Sequence, residues 1–590
     1  MSLLRRFKFE IIIFILFILL AALFTWPLII NMRSQIYDYK GDLLEALWYA
    51  WWVKYAWQHD LSPQFVPIIA SPFGVDLSKD ITKNINLSFA NYPLLILTVL
   101  VDEIFAYNFI IFLTFPLAGI AMYFLSYYLT KNKWASFLVG FAFSFCPYHF
   151  AHACHITLAN IQWMPLFILF MFKFHNERTF SSAGLCGLFF ALSLLSDTYY
   201  GYFMLIAALT FLAFKFFRKL FIKRETIFTP NVGILKNILL LSVCILVAVL
   251  VCLPYIYPIF KSYFFEGQLT PWLQRQMAER PISQLHIYAA RVFNYILPAA
   301  NHPFFGSFAQ RLVGSIFYGE NLQEHSLYLG ISIILFSIFG YRYWNNQKKP
   351  IIKEAIKKEK DDFTLGFFVS LAIVAFLFSL PPKFIILNTN IYLPSYWVYK
   401  IAPFFRNGAR FGIVVMLALC AMAGFGFKFL IECLSNNWKK MIVSFCLIIF
   451  LIFEFINFPP FKTVDMSRIP QVYKWLKQQN NDMIVAEYPI GNDVEYLFYQ
   501  RVHKKRLLNG AQPDTEAYSI SEKVRDILKP EATEILKSLG VRYVILHLDR
   551  YEKSYRLAIE KQLDKFDKKL DLILIKDFGD IKVFKLEDSK

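Results

Sequence analysis

The stretch FAYNFIIFLTFPLAGIAMYFLSYYLTKNKWASFLVGFAF, Phe105 to Phe143, holds two apolar runs on either side of a basic step, Lys131 and Lys133. A hydrocarbon layer of about 30 Å is crossed by a helix of about 20 apolar residues, and 105–129 is long enough to do so. A helix also satisfies every backbone N–H and C=O within its own segment, as lipid demands. The basic step reads as a cytoplasmic turn, because Lys and Arg collect on that side of a membrane.

Outward from this pair the pattern repeats. Basic clusters at Arg5 to Lys8, Lys173 to Arg178, Lys215 to Arg224, Lys348 to Lys360, and Lys439 with Lys440 part further apolar runs. Placing all of them in the cytoplasm predicts spans at 9–30, 105–129, 134–150, 156–174, 181–197, 199–217, 237–259, 324–343, 364–381, 409–431 and 441–458, a count of about eleven. The run after Lys8 is too long for a signal-peptide core and lacks a small-residue cleavage site, so it is expected to stay as the first membrane helix. An odd number of crossings puts the N-terminus inside and the C-terminal region outside. Leu87 to Val101 is short, ends in Asp102-Glu103, and would invert Lys131 and Lys133 if it crossed. It reads as an interfacial or re-entrant helix within a first outer loop, 31–107. A second long outer loop covers 260–323.

Composition agrees. The chain is 57% hydrophobic and 18% aromatic, with 64 Phe, far more than one soluble core uses. Its formal net charge of +18 is gathered at the ends of apolar runs, which marks an orientation signal and not a nucleic-acid surface. The eight Cys lie in or beside apolar runs without a CxxC pair, so neither a disulfide framework nor a thiolate metal site is indicated. After Pro459-Pro460 charged and apolar residues alternate, with helices expected near 471–479, 520–528 and 532–539 and strands at 483–487, 542–547, 572–575 and 581–584. The predicted fold is therefore a polytopic α-helical membrane domain, 1–458, followed by a soluble extracytoplasmic α/β domain, 459–590.

Candidate chemistry gathers at the outer edges. In YDYKGDLLEALWYAWW, from Tyr37, an aromatic helix is expected from Leu43 to Trp57 with Asp42 at its N-terminal boundary. A carboxylate there meets backbone N–H groups and the positive end of the helix dipole, so Asp42 is either a cap or a reactive group. Asp38 and Glu45 are alternatives, and Asp42 with Glu45, three apart, fall on one helical side.

GDLLEALWYAWW directly after a first membrane helix, then SPFGVDLS from Ser71, resembles the opening of the glycosyltransferase C superfamily of integral-membrane transferases, in particular its poorly characterised bacterial members. FCPYHFAHACHITLANIQWMPL from Phe145, SDTYYGYF from Ser196, EHSLYLG from Glu324, FFRNGARFG from Phe404, VYKWLKQQ from Val472 and HKKRLLNG from His503 extend the resemblance in order along nearly the whole chain. It implies a sugar transferase of a bacterial inner membrane, active at the outer face in the cell envelope. Its partners would be a polyprenyl-phosphate-type lipid-linked donor, membrane lipids, and a glycan, lipid or protein acceptor. By position Asp42 matches the acidic residue of the first outer loop that activates the acceptor in that superfamily. One base and no enzyme nucleophile implies an inverting displacement.

Other residues join by placement. His149, His152 and His155, spaced by three, line one side if a helix continues through Pro147; His152 and His155 fit the family pattern better, as substrate contacts. Asp197, followed by Tyr199, lies close to hydrocarbon at the outer face, costly unless it is paired or faces water. Arg406 and Arg410 stand one helical turn apart where the positive-inside trend does not explain them, and guanidinium groups suit a donor phosphate. Glu320, Glu324 and His325 are candidates for a divalent metal ion or for a helix cap. Two other classes remain open at this level: a lipid-linked glycan transporter or flippase, which the lack of an internal repeat disfavours, and a non-catalytic scaffold displaying the terminal domain.

Overall fold

Helices occupy each of the long apolar runs in the computed structural model, which describes residues 8–37, 41–77, 92–222, 234–264, 281–300, 302–345, 352–386, 389–403, 405–456, 462–491, 493–513, 515–562 and 570–587. Among the described residues, four helical stretches are long and apolar enough to cross a membrane: Glu103–Thr130, Thr198–Leu220, Leu235–Tyr257 and Gly408–Glu432. The Tyr92–Leu100 helix has 9 residues, about 14 Å at 1.5 Å per residue, too short to cross. Leu87 to Asn91 and Asp38 lie outside the described residues.

Several expected spans are interrupted, each for a local reason. The run 134–150 divides into Lys133–Ser144 and Pro147–His152, because Pro147 starts a helix and cannot continue one. The run 156–174 divides into Ile156–Ala159 and Trp163–Glu177, where Asn160 turns its side chain back to the Ile156 carbonyl and Gln162 donates to Asn160. The helix expected from residue 324 begins at Ile331, so Glu324 lies in the irregular segment before it.

Glycine sets the closest helix contacts. A Cβ on Gly119 would come within 2.7 Å of the Phe17 ring, and one on Gly140 within 2.6 Å of the Gly119 carbonyl. Three helices, Lys8–Phe24, Glu103–Thr130 and Lys133–Ser144, meet there at a distance that a larger residue forbids.

The C-terminal region carries a five-stranded mixed sheet in the order Leu572–Asp577, Ile581–Leu586, Val541–His547, Ile484–Tyr488, Arg506–Leu507. The first three run antiparallel, each to the next; Ile484–Tyr488 is parallel to both Val541–His547 and Arg506–Leu507. All residues of Ile484–Tyr488 are buried, as befits a strand covered on both faces. The helices Gln471–Lys477, Glu516–Lys523 and Pro530–Ser538 lie near their expected positions, and Asp493–His503 is a further one.

The two regions set apart at residue 458 share one hydrophobic core, in which Trp48, Tyr473, Tyr496 and Phe498 belong with the membrane helices. Gln35–Tyr37 pairs antiparallel with Thr463–Asp465. Trp48 Nε1 donates to Gln500 Oε1 at 3.0 Å, and Arg501 forms a largely buried ion pair with Glu103 at 2.6 Å. The Gly41–Gln58 helix is thereby clamped between the two regions.

His503, at the end of the Asp493–His503 helix, accepts from the Lys505 backbone N–H at 3.0 Å through Nδ1. Burial, with the nearby Lys505 charge, holds its pKa down at about 3. An unfolded chain binds this proton near pH 6.5 and the folded chain does not, so stability falls as pH drops from about 6.5 toward 3, by up to ~1.4 kcal/mol per pH unit from this group. Thermal unfolding of the full chain in detergent between pH 7 and 4.5 checks this: His503→Asn, which keeps an acceptor for Lys505, is expected to flatten the pH dependence.

Candidate active site

The interrupted segment 145–160 determines the site: His149 and His152 lie on the short Pro147–His152 helix, which ends there, and His155 stands beyond that break at the start of Ile156–Ala159. His149 turns into the core: its ring stacks on Phe115 at 4.1 Å and contacts the Ser144 carbonyl at 2.7 Å, the Ala159 carbonyl at 3.0 Å and Thr114 at 3.1 Å. His152 stacks on Tyr148, uses Nδ1 on the Tyr148 carbonyl at 2.9 Å, and places Nε2 3.4 Å from Glu324 Oε2. His155 reaches the Gly41–Gln58 helix, with Nε2 3.2 Å from Asp42 Oδ2. The histidines therefore do not line one helical side, as a continuous helix would have required.

Asp42 lies in the first turn of the Gly41–Gln58 helix, at the N-terminal boundary where the sequence places it. Its side chain is 79% exposed. Gln323 Nε2 stands 3.0 Å from His155 Nδ1. As an N–H donor it makes Nδ1 the acceptor, which puts the ring proton on Nε2, where it is donated to Asp42. Glu45, half-buried on the same helix, lies one turn further along.

Next to Gln323, Glu324 is almost fully buried and holds Arg410. Arg410 Nη2 donates to Glu324 Oε1 at 2.7 Å and Nε lies 3.1 Å from both carboxylate oxygens, while Asn407 Nδ2 donates to Oε1 at 3.1 Å. The guanidinium lies 5.0 Å over the Tyr199 ring and is attracted by the Asp197 charge. Asp197 itself caps the Thr198–Phe217 helix, accepting from the Tyr199 N–H at 2.9 Å, so cap and site are one residue. The Tyr199 hydroxyl accepts from the backbone N–H groups of Arg406 and Asn407 at 3.0 and 3.2 Å.

Two expectations are corrected. Arg406 and Arg410 do not share a helical face: the tight turn Gly408–Phe411 separates them, and Arg406 instead donates to Gln284 at 3.0 Å and lies over the Tyr288 ring. Glu320, Glu324 and His325 do not assemble. Glu320 is exposed, Glu324 is committed to Arg410, and His325 bonds the Ala289 carbonyl at 3.1 Å while packing on Gly319. Among the described residues no group of three or more His, Cys, Asp or Glu is placed to hold a metal ion. Gln323, Asn407 and Tyr148 join the site without having been singled out; their sequence signal was adjacency to Glu324, to Arg406 and to His149.

No family model and no curated relative matches the chain. Solved structures do. The crystal structure of the Archaeoglobus fulgidus oligosaccharyltransferase tethered to an acceptor peptide with the NVT sequon is 12% identical, with a TM-score of 0.48 over 95% of this chain and 71% of that one. Its apo form is 13% identical, with a TM-score of 0.46 over 95% of this chain and 72% of that one. ArnT from Cupriavidus metallidurans bound to undecaprenyl phosphate is 10% identical, with a TM-score of 0.43 over 98% of each chain. These likenesses are of fold alone, and the site is made of this chain's own residues.

Those residues form a ladder of two rungs. The short segment carrying His152 and His155 faces Gln323 and Glu324: the outer rung ends in an exposed carboxylate, and the inner rung in a buried guanidinium. Among the described residues Arg410 Nη1 has no hydrogen-bond partner, so one donor edge of that cation is unspent. Removing either member of a buried pair strands the other's charge and costs on the order of 3–5 kcal/mol. Glu324→Ala and Arg410→Ala are each expected to lower stability by that amount, and the double variant by clearly less than their sum; a double-mutant cycle on unfolding in mixed micelles reads the difference.

Proposed function

We propose that this chain is a membrane glycosyltransferase of the glycosyltransferase C type that moves a sugar from a polyprenyl-phosphate-type lipid to an acceptor at the outer face of a bacterial inner membrane. In this reading the chain crosses the membrane about eleven times, with the N-terminus cytoplasmic and the sheet-bearing region outside. The acceptor is a glycan, lipid or protein hydroxyl or amide that the outer loops and terminal region recognise.

The observation that carries the proposal is the exposed Asp42 carboxylate, oriented by a histidine and clamped at a helix start in the outer loop where the resemblance expects an acidic residue. A general base has to present a carboxylate within hydrogen-bond reach of the proton that it takes. Asp42 accepts the acceptor's proton as its heteroatom attacks the sugar C1. The C1–O bond to the donor phosphate breaks, and the electron pair leaves with the phosphate. Attack opposite that leaving group inverts C1. Arg406, half-buried among Tyr288 and Gln284, and the unspent edge of Arg410 supply positive charge for the departing phosphate. Glu324 and His152 hold Arg410, and Asp197 with Tyr199 fixes the loop that carries both arginines.

Because Asp42 is exposed, Asp42→Asn is expected to leave the fold intact while lowering transfer from polyprenyl-phosphate sugars by about 100-fold or more. Purified protein assayed on a panel of such donors, with thermal unfolding as the folding control, checks it; full activity in the variant removes Asp42 from the mechanism.

A further inference from the structure

The four helices Trp163–Glu177, Phe180–Ser196, Thr198–Phe217 and Ile234–Phe264 enclose a cavity of about 610 Å³ that no part of the proposed transfer uses. Its walls are apolar over most of their length, with Phe167, Leu205 and Val249 toward one end. At the other end stand Arg178, Lys215 and Asn237. Arg178 and Lys219 repel the Lys215 charge, so several cations crowd this mouth. Neither Arg178 nor Lys215 is in an ion pair with a carboxylate among the described residues.

Length and access narrow the occupant. From Leu205 to Lys215 the lining follows one helix for ten residues, about 15 Å at 1.5 Å per residue, which is half of a hydrocarbon layer of about 30 Å. The cavity thus has the depth of one leaflet. Its outer wall is the Leu235–Tyr257 stretch, of which 11% is buried, against 39–78% for the other long apolar helices. A wall so exposed to the bilayer lets a lipid chain enter sideways. The cationic mouth lies among Lys173 to Arg178 and Lys215 to Lys219, within sequence clusters of the kind that mark the cytoplasmic side. Asp197 and Tyr199 sit at the opposite ends of the same helices.

We propose that this cavity binds an anionic phospholipid of the cytoplasmic leaflet, one acyl chain between the four helices and the headgroup phosphate between Arg178 and Lys215. An uncharged apolar cavity would take any lipid; the clustered cations select a net negative headgroup. The volume falls within the range of about 300–1,000 Å³ typical of small-molecule sites. The assignment is independent of the transferase reading, since it uses neither Asp42 nor Arg410.

Native mass spectrometry of the delipidated full chain, titrated with phosphatidylglycerol, phosphatidylcholine of the same chains, and a polyprenyl phosphate, tests it. One phosphatidylglycerol is expected to bind at least tenfold more tightly than phosphatidylcholine. Arg178→Gln with Lys215→Gln, both exposed positions that the fold tolerates, is expected to erase that preference. Ala208→Trp, which fills the cavity, should abolish binding, while Lys439→Gln with Lys440→Gln, outside the cavity lining, should leave it unchanged. Equal binding of the two phospholipids, an equal loss in the Lys439/Lys440 variant, or a polyprenyl phosphate whose binding the Arg178/Lys215 variant weakens in place of phosphatidylglycerol's would overturn the proposal.

Discussion

The ion pair between Glu324 and Arg410 constrains everything around it. Two opposite charges with side chains 7% and 15% exposed persist in such a place only if each meets the other with good geometry and most of the carboxylate's remaining lone pairs find donors. That requirement reaches outward: Asn407 and His152 complete the carboxylate, Tyr199 and Asp197 face the guanidinium, and Tyr199 in turn holds the backbone at Arg406 and Asn407. Three segments far apart in sequence, near residues 150, 197 and 324, are fixed by one charge on the 405–411 turn. A buried pair of this kind specifies arrangement more than it adds stability, since apolar replacements of similar volume are often as stable.

Against that buried inner rung, the outer rung lies open to water. Asp42 and Glu324 are both carboxylates contacted by a histidine of the same short segment, yet their surroundings divide their roles. Glu324 is closed in by a cation and an amide. Asp42 keeps most of its surface in water, with the His155 imidazole and the helix start beside it. The division follows from the end of the Pro147–His152 helix, because the break after it carries His155 away from His152 and toward the other acid.

Legibility in the sequence followed physical range. Apolar runs announce helices through the solvent they must tolerate, so Glu103–Thr130 and Gly412–Glu432 lie where expected. Alternation likewise located Val541–His547 and Ile581–Leu586, whereas the two-residue strand Arg506–Leu507 carries no period to read. Asp42, His152, His155, Asp197 and Arg410 were noticed one at a time for local reasons: a helix start, a membrane edge, an out-of-place cation. Their mutual contacts were not readable, because nothing in a single sequence says that residue 155 faces residue 42 or that 324 faces 410. The metal-site reading of Glu320, Glu324 and His325 arose from the same blindness. Neighbours in sequence, they part in the fold: Glu324 turns to Arg410, His325 to the Ala289 carbonyl, and Glu320 to solvent.

The antiparallel pairing of Gln35–Tyr37 with Thr463–Asp465 has a temporal side. A ribosome delivers the Asp42 helix early, yet its Trp48 anchor on Gln500 arrives some four hundred and fifty residues later. For most of synthesis the outer loop waits without its clamp, and contacts of such long range are slow to close. The helix that carries Asp42 gains its clamp only when the C-terminal region has been made and has folded back, so an unfinished chain holds the residues of the site but not the site.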